Sequence, residues 1–327
     1  MHLEEKIRQH YVSRFYLDNW TTVEATENIS IWSLNKITGN IFKTTNLSNI
    51  SQKNRFYKVV IDDIVWDMLE YLLAPLEHEP FVARTMRTLN SLQLINQYRK
   101  NKLENHEKLV VIETNLLEDL YADLESLFNH TLKKISETGS KSELSKALEE
   151  DEEKHYNNLI LFFATQHFRT MQARKKINDI TKDTYLQRGQ DEEHKLSPQQ
   201  VDVVTKIHLY VESIRFAENL SRSKFRISLD YNVSNIDLVT SSSPTLGFSE
   251  PRAHRDDIRS FKGQIALSPK INMRLYLSSD GSERIEFGTL DKQRVLSLNR
   301  LRVKSSDLDV YATSERQLQI LLKLLPS

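Results

Sequence analysis

Gln9, His10 and Arg14 stand within the run QHYVSRFYLDNW, residues 9–20, among the rings of Tyr11, Phe15, Tyr16 and Trp20. Four residues separate His10 from Arg14. An extended segment puts both on one face, and a helix sets them side by side. A histidine beside a cation favours its neutral form, the state a general base needs at neutral pH. The bland alternative is a half-buried histidine bonded to backbone.

A second group lies in LILFFATQHFRTMQAR, residues 159–174, whose Leu, Ile and Phe point in nearly every direction of a helix and predict that protein surrounds it. At 100° per residue, Gln166, Arg169, Thr170 and Arg174 fall within an arc of roughly 140°. Two guanidinium forks so placed suit a phosphate or carboxylate. The alternative is an internal salt bridge, for instance to Glu77 or Glu79. The third group is LVTSSSP, residues 238–244, where Thr240 and Ser241 at a strand end can receive an anion or simply cap their own turn.

Together these groups describe an enzyme acting on a phosphate-containing substrate, in the manner of a nuclease or another phosphodiester hydrolase. His10 is the candidate general base or acid. Arg14 and Arg169 hold the phosphate and developing charge, with Gln166 orienting substrate or water, and these four form the candidate catalytic set. Gln9, Arg174, Thr240 and Ser241 complete the substrate-binding wall. The rival reading keeps the same cluster as a non-catalytic module that senses an anion or docks a protein partner. A third version is purely structural, with His10, Arg14 and Arg169 locking the opening segment onto the enclosed helix.

Other charged runs are plainer. EEDEEKH, residues 149–155, reads as a solvated helix face, and HRDD, residues 254–257, as a loop cluster. No phosphate-binding glycine loop, dinucleotide fingerprint, HExxH or zinc-ligand spacing occurs, so no metal site and no cofactor are identified. A serine-hydrolase elbow is missing as well.

The elements that position these groups follow from composition and spacing. The chain has 327 residues, 28 % of them charged, with only 7 Gly and 7 Pro, so helix should dominate. Forty-five basic and 45 acidic residues cancel, leaving no global field for nucleic acid or an anionic membrane, although the C-terminal third is locally basic. Cysteine is absent, which excludes disulfides and thiolate chemistry. No secretory signal and no long apolar run are visible, so the expectation is a cytoplasmic protein without a membrane partner.

Residues 29–34 and 41–44 flank a turn at Thr38–Gly39–Asn40 and predict a hairpin, with 54–60 as a third strand. Apolar spacing predicts helices over 61–75, 81–98, 109–136, 143–186, the last divisible in two, and 199–219. The segment 187–198 reads as an exposed loop. Strands follow over 225–229, 236–240, 264–267 and 271–277, then a hairpin turn at Asp280–Gly281 into 283–287. A helix over 291–303, a strand over 309–312 and a helix over 314–325 close the chain. The class is α+β: residues 1–60 with the motif and small hairpin, a helical region over 61–220, and an α/β region over 221–327, packed as one unit.

The three groups together resemble a bacterial domain-of-unknown-function family, number 4238. Its members begin with a segment like QHYVPRFYLRNF, and Gln9–Trp20 is similar. The hairpin turn at Thr38 and Gly39, the Q-x-x-R-T pattern at Gln166, Arg169 and Thr170, and Thr240, Ser241 and Pro244 in place of a TSDNP motif extend the likeness. So do Ser268 and Pro269 at a strand end and Asn299 on a late helix. Ser13 stands where the family usually has proline, and Ser242 and Ser243 where it has aspartate and asparagine. The resemblance implies a shared fold and a polar site, with no established activity. A nuclease-like effector of antiviral defence is the corresponding expectation, with nucleic acid or a phosphate-containing small molecule as partner.

Overall fold

Why the chain folds as it does is clearest where its caps and apolar faces agree. Asp62 accepts a hydrogen bond from the Val65 amide and opens a helix that buries Val65, Leu69 and Leu73, and Pro75 lies just past its end. The computed structural model describes residues 4–23, 29–100, 106–188, 196–223, 225–248, 261–277 and 284–323. In order the strands and helices are β1 (Arg8–His10), α1 (Arg14–Leu17), β2 (Thr22–Val23), β3 (Ile29–Asn35), β4 (Ile41–Thr44), β5 (Gln52–Asn54), α2 (Asp63–Leu73), α3 (Pro80–Lys100) and α4 (His106–Ser136). Then come α5 (Lys141–Glu149), α6 (Glu152–Arg169), α7 (Met171–Arg188), α8 (Pro198–Arg222), β6 (Phe225–Asn232), β7 (Thr240–Ser241), β8 (Thr245–Phe248), β9 (Lys262–Ser268), β10 (Ile271–Leu277), β11 (Ile285–Leu290), α9 (Lys292–Ser305), β12 (Asp309–Ala312) and α10 (Glu315–Leu322). The fold is α+β, with a helical middle and sheets built from the two ends of the chain.

Two compact units emerge, each gathered from three stretches and not from the consecutive segments 1–60, 61–220 and 221–327. The first takes residues 1–9, 53–123 and 172–212; the second takes 10–52, 124–171 and 213–327. The first unit is helical around the rings of Tyr57, Tyr121 and Tyr210, which lie 5.0 and 5.3 Å apart in succession.

The second unit holds both larger sheets. In one, β3 is bordered by β2, β4 and β12, and β12 leads on to β7. Helix α10 covers this sheet, and Leu34, Val239, Val303, Val310, Leu318 and Leu321 form its core. The other sheet runs β11-β6-β10-β9-β8 and is antiparallel except for β11, which lies parallel to β6. Gly263 on β9 lets this sheet approach α6 closely, because a Cβ there would enter the rings of Phe163 and Phe261.

Several expectations are corrected. Residues 55–60 form a turn and coil, since β5 ends at Asn54. The region 143–186 forms three helices, with breaks at 150–151 and Thr170. Strand β7 is only two residues, and β8 directly after Pro244 was not anticipated. Residues 271–277 and 285–290 do not pair as a hairpin, because β6 lies between them and satisfies both edges. The turn residues Asp280 and Gly281, the HRDD cluster and most of the expected loop 187–198 lie outside the described residues.

Candidate functional site

From His10 onward the opening motif lies in the second unit and leads by a short path into a helix. His10 ends β1, Ser13 takes an extended conformation with φ −59° and ψ 132°, and α1 begins at Arg14. The aromatic residues then fix this path. Tyr16 packs 5.0 Å from the Trp20 ring and 5.5 Å from Phe162 of α6. The Trp20 indole donates to the Leu238 carbonyl at 2.8 Å, and the Asn19 amide donates to the Leu267 carbonyl at 2.8 Å.

Tyr16 Oη donates to the Ala266 carbonyl at 2.7 Å and lies 2.6 Å from Thr240 Oγ1. A phenol has one hydrogen and the carbonyl can only accept, so Thr240 donates to Tyr16. The motif is thereby tied to the ends of β7 and β9 through its rings, with each buried polar tip satisfied.

Ser13 is a polar hub. Its Oγ accepts from Gln166 Nε2 at 2.8 Å and from Arg169 Nη1 at 3.2 Å, and it donates to Glu125 Oε1 at 2.6 Å. Arg169 also pairs directly with the Glu125 carboxylate. The internal ion pair is therefore made with Glu125 of α4, where the sequence suggested Glu77 or Glu79. Gln166 Oε1 is buried and has no hydrogen-bond partner among the described residues.

Burial pushes the His10 pKa down to about 4, and the positive charges of Arg14 and Arg169 add to the shift. A backbone hydrogen bond at Leu47 and the Glu125 charge oppose it. His10 is thus neutral across the physiological range. It lacks the imidazolium proton that a general acid would give at pH 7, and with so low a pKa it is a weak base. Arg14 is exposed and makes no hydrogen bond or ion pair with a described residue.

Gln9 and Arg174 belong to the first unit. Gln9 is buried, donates to the Thr114 carbonyl at 2.6 Å and accepts from the Tyr57 amide at 2.5 Å, a backbone staple on both sides. Arg174 does not share an arc with Arg169, because α6 ends at Arg169, Thr170 is extended (φ −70°, ψ 155°) and a new helix begins at Met171. Its guanidinium binds Asp202 and the Phe56 carbonyl and lies over the Phe56 ring. Asp202 also holds Lys206 at 3.0 Å. Burial brings the Lys206 pKa down to about 8, with the Arg174 charge adding. Burial alone would raise the Asp202 pKa; its bonds and charge contacts with Arg174 and Lys206 bring it below the ordinary value instead.

The strand-end hydroxyls divide in role. Thr240 meets the opening motif through Tyr16, whereas Ser241 Oγ donates to the Ser243 carbonyl at 2.9 Å and accepts from the Ser243 amide at 3.2 Å, a self-capped turn. Ser242 and Ser243 donate to the Asp307 carboxylate at 2.9 and 2.8 Å. Asn299 accepts from the Val239 amide at 3.0 Å and donates to the Asp237 carbonyl at 2.8 Å, holding the chain on its way into β7.

Glu125 was not singled out by sequence, since nothing local marks one carboxylate of a long helix as the partner of a distant arginine. Arg302 was also missed. It occupies the same buried helical face as Val295 and Asn299, at spacings of seven and three residues, and that periodicity was open to arithmetic.

With the motif, the Q-x-x-R-T helix end and the strand-end hydroxyls placed, comparison with known families is decisive. The model of a protein family of unknown function, DUF4238, matches residues 8–316. The chain belongs to this family. No curated protein and no solved structure matches it. DUF4238 membership thus accounts for nearly the whole chain, and the chemistry must be argued from the side chains themselves.

Proposed function

We propose that this protein is a binding module for a phosphate-containing ligand, read by Arg14, with His10 as its buried, neutral neighbour. The observation that carries this reading is the contrast between two arginines of one cluster. Arg169 is buried and already neutralised by Glu125, while Arg14 is exposed with no ion pair to a described residue. Arg14 has one carboxylate close enough to feel its charge, Asp18 one turn on, but no bond to it, so its guanidinium is open to an anion, whereas one bonded to carboxylate and hydroxyl must first break those bonds.

The low pKa of His10 favours binding over hydrolysis, since a general acid–base group works best near the operating pH. In this reading Arg169, Glu125, Ser13 and Gln166 form the rigid support of the segment, and Tyr16 and Thr240 anchor it from the other side.

The test is equilibrium binding of pyrophosphate, ATP and a single-stranded oligonucleotide over a salt series, with intact ligand measured alongside. Salt-sensitive retention that Arg14→Ala weakens at least tenfold, without ligand breakdown, is the expected result. Cleavage of the oligonucleotide by wild type but not by His10→Ala would replace binding with a nuclease-type activity, and equal affinity in wild type and Arg14→Ala would sink the assignment.

A further inference from the structure

Helix α9 carries Lys292, Arg294, Arg300, Arg302 and Lys304 and no acidic residue, in a chain whose 45 basic and 45 acidic residues cancel. Its period decides which of these cations water sees. Val295, Asn299, Arg302 and Val303 form the buried face. At 100° per residue, Arg294, Arg300 and Lys304 fall, with Gln293 and Ser297, within an arc of roughly 120° on the opposite side. All five are exposed, as is Lys292 in the first turn.

The side chains of Lys292, Arg294, Arg300 and Lys304 make no hydrogen bond or ion pair with a described residue. The acids nearest in sequence are turned to other groups. Asp291 caps the helix at the Arg294 amide, 2.8 Å away, and Asp307 accepts from the Ser242 and Ser243 hydroxyls. Lys36 adds a cation at the C-terminal end, where its ammonium donates to the Ser306 carbonyl. The packed neighbour α10 and the residue after it expose Arg316 and Lys323 against Glu315, so they bring no net counter-charge.

We propose that this face of α9 docks the sugar–phosphate backbone of a nucleic-acid duplex without reading its sequence. Charge complementarity calls for a polyanion, and the other side chains select its kind. Arg294 to Lys304 spans about 15 Å of helix, the axial length of about four phosphates on one strand. Gln293 and Ser297 are of the uncharged types that join Arg and Lys at phosphate oxygens. A protein interface centres on apolar or aromatic anchors, and a helix lying on a membrane turns an apolar face to the lipid. Helix α9 has no exposed apolar side chain and no aromatic ring. Without a ring on which an unpaired base can stack, the duplex is favoured over the single strand. The surface excludes Arg14 and does not depend on the phosphate-ligand reading above.

The experiment is fluorescence anisotropy with a labelled DNA duplex of about 20 base pairs, and with one of its strands alone, between about 50 and 200 mM salt. Wild type should lose duplex affinity about 40-fold across that range, the log–log slope of about −3 that three released counterions give, and should bind the single strand more weakly. Arg300→Gln combined with Lys304→Gln should reduce the slope by about two and weaken duplex binding at low salt at least about tenfold. Both side chains are exposed and unbonded, so the variant should keep the Tm of wild type. Arg14→Ala should bind duplex as wild type does. No duplex binding by wild type at low salt, an unchanged slope in the α9 variant, equal affinity for the single strand, tighter retention on phosphatidylserine vesicles, or loss of duplex binding in Arg14→Ala alone would each overturn the assignment.

Discussion

Tyr16 Oη lies 2.6 Å from Thr240 Oγ1, so the opening motif and the strand-end hydroxyls, 224 positions apart in the chain, meet through a phenol and not through His10. Both groups are buried. Tyr16→Phe strands the Thr240 hydroxyl and the Ala266 carbonyl together and should cost about 1–3 kcal/mol. Thr240→Val should cost less, because Tyr16 still donates to Ala266. The double variant should be less destabilised than the sum of the two, and a urea-melt double-mutant cycle measures the coupling. Strict additivity would mean that the two oxygens do not interact.

His10 makes stability depend on pH in a definite direction. Its folded pKa, about 4, lies below its ordinary 6.5. At pH values above 6.5 neither state is protonated and the full stability is present. As pH falls from 6.5 towards 4 the unfolded chain takes up a proton that the folded chain refuses, and stability is lost progressively, by up to about 3 kcal/mol at about 1.4 kcal/mol per pKa step. His155, also held below its ordinary value chiefly by burial, adds a loss of the same sign. His10→Gln should therefore flatten, without abolishing, the decline between pH 6.5 and 4 in urea melts. An unchanged slope would show that His10 is not the proton site.

The pair Arg169–Glu125 is asymmetric, with the arginine side chain 2 % exposed and the glutamate side chain 22 %. Removing Glu125 leaves a buried cation, while removing Arg169 leaves a carboxylate that water can reach. Glu125→Ala should thus be the costlier change, at about 3–5 kcal/mol, and Arg169→Met the milder. Thermal melts of the two variants at pH 7 check the order, and the reverse order would imply that Glu125 is the deeper of the two in solution.

How much of this was legible in the sequence depends on the range of the interaction. Helices and strands whose apolar period is local were readable: residues 271–277 and 309–312 form β10 and β12 with the expected bounds, and Pro75 follows the end of α2. The pairing of β11 with β6 was not, because Asp280–Gly281 signals a turn locally while the partner is chosen by which edge is open in the folded sheet. The opening segment was expected to meet Gln166 and Arg169 through Gln9, His10 and Arg14, whereas the hydrogen bonds are made by Ser13, noted in the sequence only as a departure from the family's proline, and Glu125, which neutralises Arg169, has no sequence mark. The helical arc joining Arg169 to Arg174 failed at one extended residue, Thr170.

Ser13 offers a sharper test because the family resemblance read from the sequence implies a proline at its position. Its φ of −59° already matches the value a proline ring imposes. Ser13→Ala and Ser13→Pro both remove the hydroxyl that serves Gln166, Arg169 and Glu125, so both should lose about 1–3 kcal/mol from the polar hub. Proline also restricts the unfolded chain, which should return about 0.4–1 kcal/mol, so Ser13→Pro should be the more stable of the two variants. Urea melts of both at pH 7 compare them directly. A proline variant less stable than alanine would show that the Ser13 amide has a hydrogen-bonding role that the ring destroys, and that the turn from β1 into α1 differs here from its relatives.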